Sequence, residues 1–112
     1  MLDHEKLDVY QCSIAFLRVA LRVVGAIPRG NSDFVDQLRR ASMAIPLNIA
    51  EGVGKPSPAD RARFHAIARG SAMECAALFD VGRLVGGISD ADFEEGKAMV
   101  ERIVAMLSRM CR

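Results

Sequence analysis

Three observations predict an all-α protein, an antiparallel up-down-up-down four-helix bundle. The apolar content, 51% of 112 residues, is mostly Ala, Val, Leu, Ile and Met, with no Trp, one Tyr and five Phe. Ala, Leu and Met lose little on entering a helix, whereas strands draw on aromatic and β-branched residues. Apolar residues recur at spacings of three and four in four segments, and none alternates with period two. Glycine and proline clusters at 25–31, 52–58 and 86–87 separate these segments. A chain this short makes one domain, 1–112, in which every element must contribute to the core.

The first helix spans about 8–26, with Asp8 placed to cap it. Val9, Cys12, Phe16, Val19 and Val23 form its core stripe. A second seam, Tyr10, Ile14, Leu17, Leu21 and Val24, runs one position over. A bundle core needs one stripe about 100° wide. Two stripes predict cover on two sides, the second supplied by another copy of the chain. The second helix spans about 32–52 and turns Phe34, Leu38, Ala41, Ile45 and Ile49 inward. Pro46 lies inside it and removes the N–H that would serve the Ser42 carbonyl. The apolar spacing crosses the proline without a phase jump, so one bent helix is expected.

The third helix spans about 57–85, with Ser57 as N-cap and Pro58 in the first position. Its expected buried face is Phe64, Ile67, Ser71, Cys75, Leu78, Gly82 and Val85. Small residues, among them Ala68, Gly70, Ala72 and Ala76, let a neighbouring helix approach closely. The fourth helix spans about 89–111, capped by Ser89 with Asp92 three residues on. Phe93, Gly96, Val100, Ile103, Leu107 and Met110 form an unbroken 3-4-3-4-3 series. Asp90, Asp92, Glu94 and Glu95 crowd the positive end of its dipole, and Arg109 and Arg112 sit at the negative end.

A net charge of +1 supplies no global field to draw in nucleic acid or an anionic membrane. Cys12, Cys75 and Cys111 are odd in number and far apart, which fits neither a disulfide framework nor a zinc site. They read as reduced thiols of a cytoplasmic protein, the first two as small core residues. The opening Met1-Leu2-Asp3-His4-Glu5 is acidic, unlike a targeting segment. The apolar stretch 14–27 carries Arg18 and Arg22 and is short for a bilayer, so no membrane association is expected.

Gln37-Leu38-Arg39-Arg40-Ala41-Ser42, followed by Ile45-Pro46-Leu47-Asn48-Ile49-Ala50-Glu51-Gly52-Val53-Gly54, is not generic helix sequence. It resembles the signature of a bacterial family of four-helix bundle proteins, some encoded in intervening sequences of large-subunit ribosomal RNA genes and hence labelled ribosomal proteins. Ala68-Arg69-Gly70-Ser71 with Glu74, and the opening Leu7-Asp8-Val9-Tyr10-Gln11, are similar to two further family motifs. Tyr10 stands where the family usually has Trp. The resemblance covers nearly the whole chain. It implies an antiparallel bundle assembled as a homopentameric ring, with no enzymatic activity. A relative, the accessory protein of diversity-generating retroelements, is also a pentameric bundle and binds nucleic acid and a reverse transcriptase. That relative is strongly basic, and this chain is not.

The polar residues of the signature are Gln37, Arg39, Arg40, Ser42, Asn48 and Glu51 on helix two, with Ser71 and Glu74 on helix three. They are expected to form an interhelical network that sets register and subunit packing. In it, Glu51 or Glu74 pairs with Arg39 or Arg40, and Asn48 answers backbone groups freed near Pro46. Di-iron bundles need Glu-x-x-His on facing helices, and neither His4 nor His65 follows a carboxylate at that spacing. No metal or cofactor is therefore expected. A hydrolytic triad needs a positioned base. His65 is the one candidate, and it reads as an ordinary surface histidine.

Two classes of function stay open. The first is a non-enzymatic, homo-oligomeric assembly or adaptor protein that contacts itself through Ile14, Leu17, Leu21 and Val24 and binds another protein. The second is an accessory RNA- or DNA-binding protein. It would use Lys55, Arg61, Arg63, Arg69, Arg109 and Arg112, which a bundle brings to one end and a ring repeats.

Overall fold

A computed structural model describes all 112 residues. It contains four α-helices and no strand: α1 (Asp8–Ala26), α2 (Ser32–Val53), α3 (Pro58–Val85) and α4 (Asp90–Met110). A short 3-10 turn, Asp3–Lys6, precedes α1 and has no counterpart in the apolar pattern. At about 1.5 Å per residue the 28-residue α3 is about 42 Å long. It sets the 44 Å long axis of the molecule.

The helix ends follow local chemistry. Ser57 accepts from the Asp60 N–H at 3.2 Å, with Pro58 in the first turn, and Ser89 accepts from the Asp92 N–H at 3.1 Å. Gly86 closes α3 at φ 84°, a left-handed conformation that costs glycine little. Asp8 is the first helical residue and not the cap: Leu7 takes that position without a side-chain bond. Its carboxylate still sits at the positive end of the dipole. Helix α2 runs unbroken through Pro46, which is buried.

Each helix packs on two neighbours in the cyclic order α1, α2, α3, α4. Neighbours run antiparallel, because residue pairings climb one helix as they descend the next. Lys97 meets Asp80 and Arg69 meets Ser108 between α3 and α4. Gly82 lies near Phe34, and Gly52 near His65, between α2 and α3. The diagonal is crossed by Phe16 of α1 and Phe79 of α3, ring centroids 5.5 Å apart. The Phe79 ring lies on Gly96 of α4, where a Cβ would collide with it.

The stripes read for α1 and α2 are buried throughout, and that of α4 is buried from Gly96 to Leu107 with Phe93 and Met110 half-buried at its ends. The first half of α3 differs from expectation. His65, Ala68 and Ala72 turn inward, Ile67 is 42% exposed, and Phe64 and Ser71 are half-buried. The small alanines face the core because α3 closes tightly on α2. Side-chain size had pointed to the wrong stripe.

By length and composition alone α1 could cross a membrane. Here its apolar stripe is buried against α2 and α4. Of its second seam, Leu21 is exposed, while Ile14, Leu17 and Val24 are half-buried within the single chain. The chain covers more of that seam itself than the sequence predicts.

Candidate docking surface

The outward face of α2 is where sequence and solvent disagree. Opposite the Phe34–Ile49 stripe, a soluble helix presents polar residues. Instead Met43 is 42% and Leu47 63% exposed, four residues apart on one face. They line a groove of about 520 Å³ with Asp36, Arg39, Arg40, Ala44 and Asn48. A second cleft of about 230 Å³, between α2 and α3, is lined by Gln37, Arg40, Ala41, Ala44, Ser71 and Glu74. The two share Arg40 and Ala44 and so make one surface.

This surface gathers Gln37, Arg39, Arg40, Asn48, Ser71 and Glu74, all from the signature. They do not form the expected buried network. Gln37, Arg39, Arg40 and Glu74 are exposed, and Asn48 and Ser71 half-buried. Neither Arg39 nor Arg40 forms an ion pair, and Glu74 forms none. Glu51 pairs instead with Lys55, four residues on just past the end of α2, at 3.7 Å. The physical reason is direction. These side chains point away from the bundle axis, where water satisfies them and no partner is required.

Ser42 is the exception, fully buried, with Oγ donating to the Leu38 carbonyl at 2.7 Å. Asn48 donates to the Ala44 carbonyl at 2.8 Å, and not to the Ser42 carbonyl that Pro46 leaves without its helical donor. Met43 and Leu47 were missing from the sequence-derived site. Their signal was legible as an i, i+4 apolar pair opposite the core stripe.

The basic residues expected at one end are mostly occupied with structure. Arg61 donates to the Lys55 and Pro56 carbonyls, both at 2.9 Å, and so fastens the α2–α3 turn. Arg69 donates to Ser108 Oγ at 2.7 Å across α3 and α4. Lys55 and Arg63 lie over the Phe64 ring, 5.1 and 4.6 Å from its centroid. Arg109 and Arg112 form no ion pair. The acidic start of α4 is likewise used in the fold. Arg22 of α1 bridges Asp92 and Glu95 at 2.8 and 2.9 Å, and Arg83 of α3 holds Asp90 at 2.6 Å.

His65 is not the surface residue expected. Its ring is 5% exposed and packs on Gly52, where an added Cβ would stand 2.8 Å from Nε2. Neither ring nitrogen has a hydrogen-bond partner, and they are the only buried side-chain polar atoms in that condition. Burial, with Arg61 adding to it, pulls the imidazole below its ordinary range. The Met110 and Ile49 carbonyls act the other way without reaching bonding geometry. The three thiols are free. Burial pushes Cys75 up to about 12 and raises Cys12, while Cys111 is half-buried. No three His, Cys, Asp or Glu side chains converge as metal ligands.

Four antiparallel helices, with six of the signature's polar residues along one outer face, define a four-helix bundle protein. The chain belongs to the 23S rRNA-intervening sequence protein family, whose pattern it matches over residues 5–109. No curated protein matches the chain.

Proposed function

We propose that this protein is a non-catalytic assembly module: a cytoplasmic homo-oligomer, a ring of five copies, that serves as an adaptor for another protein. One observation carries the reading. Gln37, Arg39, Arg40 and Glu74 of the signature are exposed on the same surface as Met43 and Leu47, a composition suited to contact with a macromolecule. Leu21 on α1 is a smaller exposed remainder of the seam read as a subunit contact. The state of the reactive groups supports a role without catalysis. His65 is sealed against Gly52, and the Cys12 and Cys75 thiols are held protonated by burial.

Native mass, measured with and without total cellular RNA, tests the proposal. The expected result is a particle of five chains whose mass RNA does not change. A compact 12.2 kDa species at micromolar concentration would overturn it.

A second reading, binding of RNA or DNA, is favoured by the Phe64 ring flanked by Lys55 and Arg63 at the end where Arg109 also lies. Filter retention that falls steeply with salt, and falls further in an Arg63→Ala, Arg109→Ala variant, would establish it.

A further inference from the structure

We infer that His65 is an acid-sensitive latch. Neutral, its ring closes the corner where α2 ends, α3 begins and α4 ends. Protonated, it leaves that corner and lets it open, while the rest of the bundle stays folded. The latch lies within one chain and needs no second copy.

Geometry carries the inference. His65 is 5% exposed, and its two ring nitrogens are the only buried side-chain polar atoms without a hydrogen-bond partner. Three helix ends meet on it: the Gly52 backbone of α2, its own turn of α3, and the carbonyl of Met110, the last residue of α4. A Cβ on Gly52 would stand 2.8 Å from Nε2 and 2.9 Å from Cδ2, so the ring has no slack on that side. A neutral imidazole is held here by its shape. A charged one needs an anion, or acceptors in bonding geometry, to stay buried.

The corner supplies neither. No carboxylate lies within ion-pair distance of His65. From α2 comes Glu51, which pairs with Lys55 of the turn. From the end of α4 come Arg109, Arg112 and the Cys111 thiol, and from the start of α1 comes Asp8. Helix α3 itself adds exposed Asp60, Arg61, and Arg63 over the Phe64 ring. Among all these, Arg61 alone bears on the imidazole, and its charge opposes a second one. Its bonds to the Lys55 and Pro56 carbonyls hold it in place. The Ile49 and Met110 carbonyls face the ring outside bonding geometry. Water is therefore the best partner for the protonated ring, and reaching water means leaving Gly52.

Hydrogen exchange of the full-length protein, followed from about pH 7.5 to about pH 5 and corrected for the intrinsic rate, tests the latch. The reporters are the amides of 49–55, 61–68 and 107–111, and the controls are those of 75–82 and 96–103. The open corner binds one more proton than the closed one, so its population grows as pH falls below the ordinary histidine value of about 6.5. From there down to the folded-state value, reporter protection should drop about tenfold per pH unit, with no change in the controls. His65→Phe keeps a ring that cannot charge and should abolish the dependence. His65→Gln, also uncharged, makes the same test if the phenylalanine variant does not fold. The other histidine, His4, packs edge-on against Tyr10 with ring centres 4.8 Å apart, and His4→Gln should leave the dependence intact. Reporter protection that holds or rises in acid would overturn the latch, since the charged ring would then have stayed and bonded the two carbonyls. So would a loss shared equally by reporters and controls, or a dependence that survives in the His65 variants.

Discussion

The bundle uses one packing device twice, with different chemistry. Near the middle of the molecule the Phe79 ring lies on Gly96. Where α2 ends and α3 begins, the His65 ring lies on Gly52. In both, a glycine on one helix lets an aromatic ring from the next sit against its backbone. Phe79 is fully buried, has no polar atoms, and packs at a tilt against Phe16 across the diagonal. His65 is buried with two nitrogens that bond to nothing. The first contact is complete. The second stabilises through shape and loses part of that through desolvation, since an unsatisfied buried polar group costs about 1–3 kcal/mol. The same steric device is thus robust at one place and conditional on protonation at the other.

That difference can be tested from the larger effect to the smaller. Phe79→Ala should cost about 3–5 kcal/mol in urea unfolding, because it empties the diagonal of the core. Gly96→Ala should cost about 1–3 kcal/mol net, since Phe79 has no free space to move into. A stable Gly96→Ala protein would show that the ring is not confined. Gly52→Ala should cost about 1 kcal/mol, because the added methyl meets the edge of one imidazole and the helix gains from replacing glycine. The smallest effect is titration of His65. Its pKa is depressed in the folded chain, so the unfolded chain takes up the proton first as pH falls. The stability tied to its neutral form is therefore present above about pH 6.5 and lost as pH drops through the folded value. His65→Leu should flatten that acid limb and leave stability at pH 8 unchanged or slightly raised. An acid limb identical in the two proteins would mean that other groups set it.

The core stripe of α2 and the 3-4-3-4-3 series of α4 could be read directly, because each is long and strongly periodic. The expected stripe failed in α3. Small Ala68 and Ala72 are fully buried there, while large Ile67 stands partly in solvent. Size is a good guide to burial only where helices stay far enough apart to need filling. The signature residues lie elsewhere than a buried interhelical network. Gln37, Arg39, Arg40, Asn48, Ser71 and Glu74 do share one surface, but it faces solvent, and Arg39 and Arg40 pair with neither Glu51 nor Glu74.

By itself the amino-acid order determined the number of helices, the breaks between them, the Ser57 and Ser89 caps, and most of the buried stripes of α1, α2 and α4, because these depend on interactions within a few residues along the chain. Only the folded bundle decided that His65 would be sealed against Gly52 and that the α1 seam would be half covered. Each of these depends on how closely residues distant in sequence approach, and that distance is fixed only when all four helices pack at once.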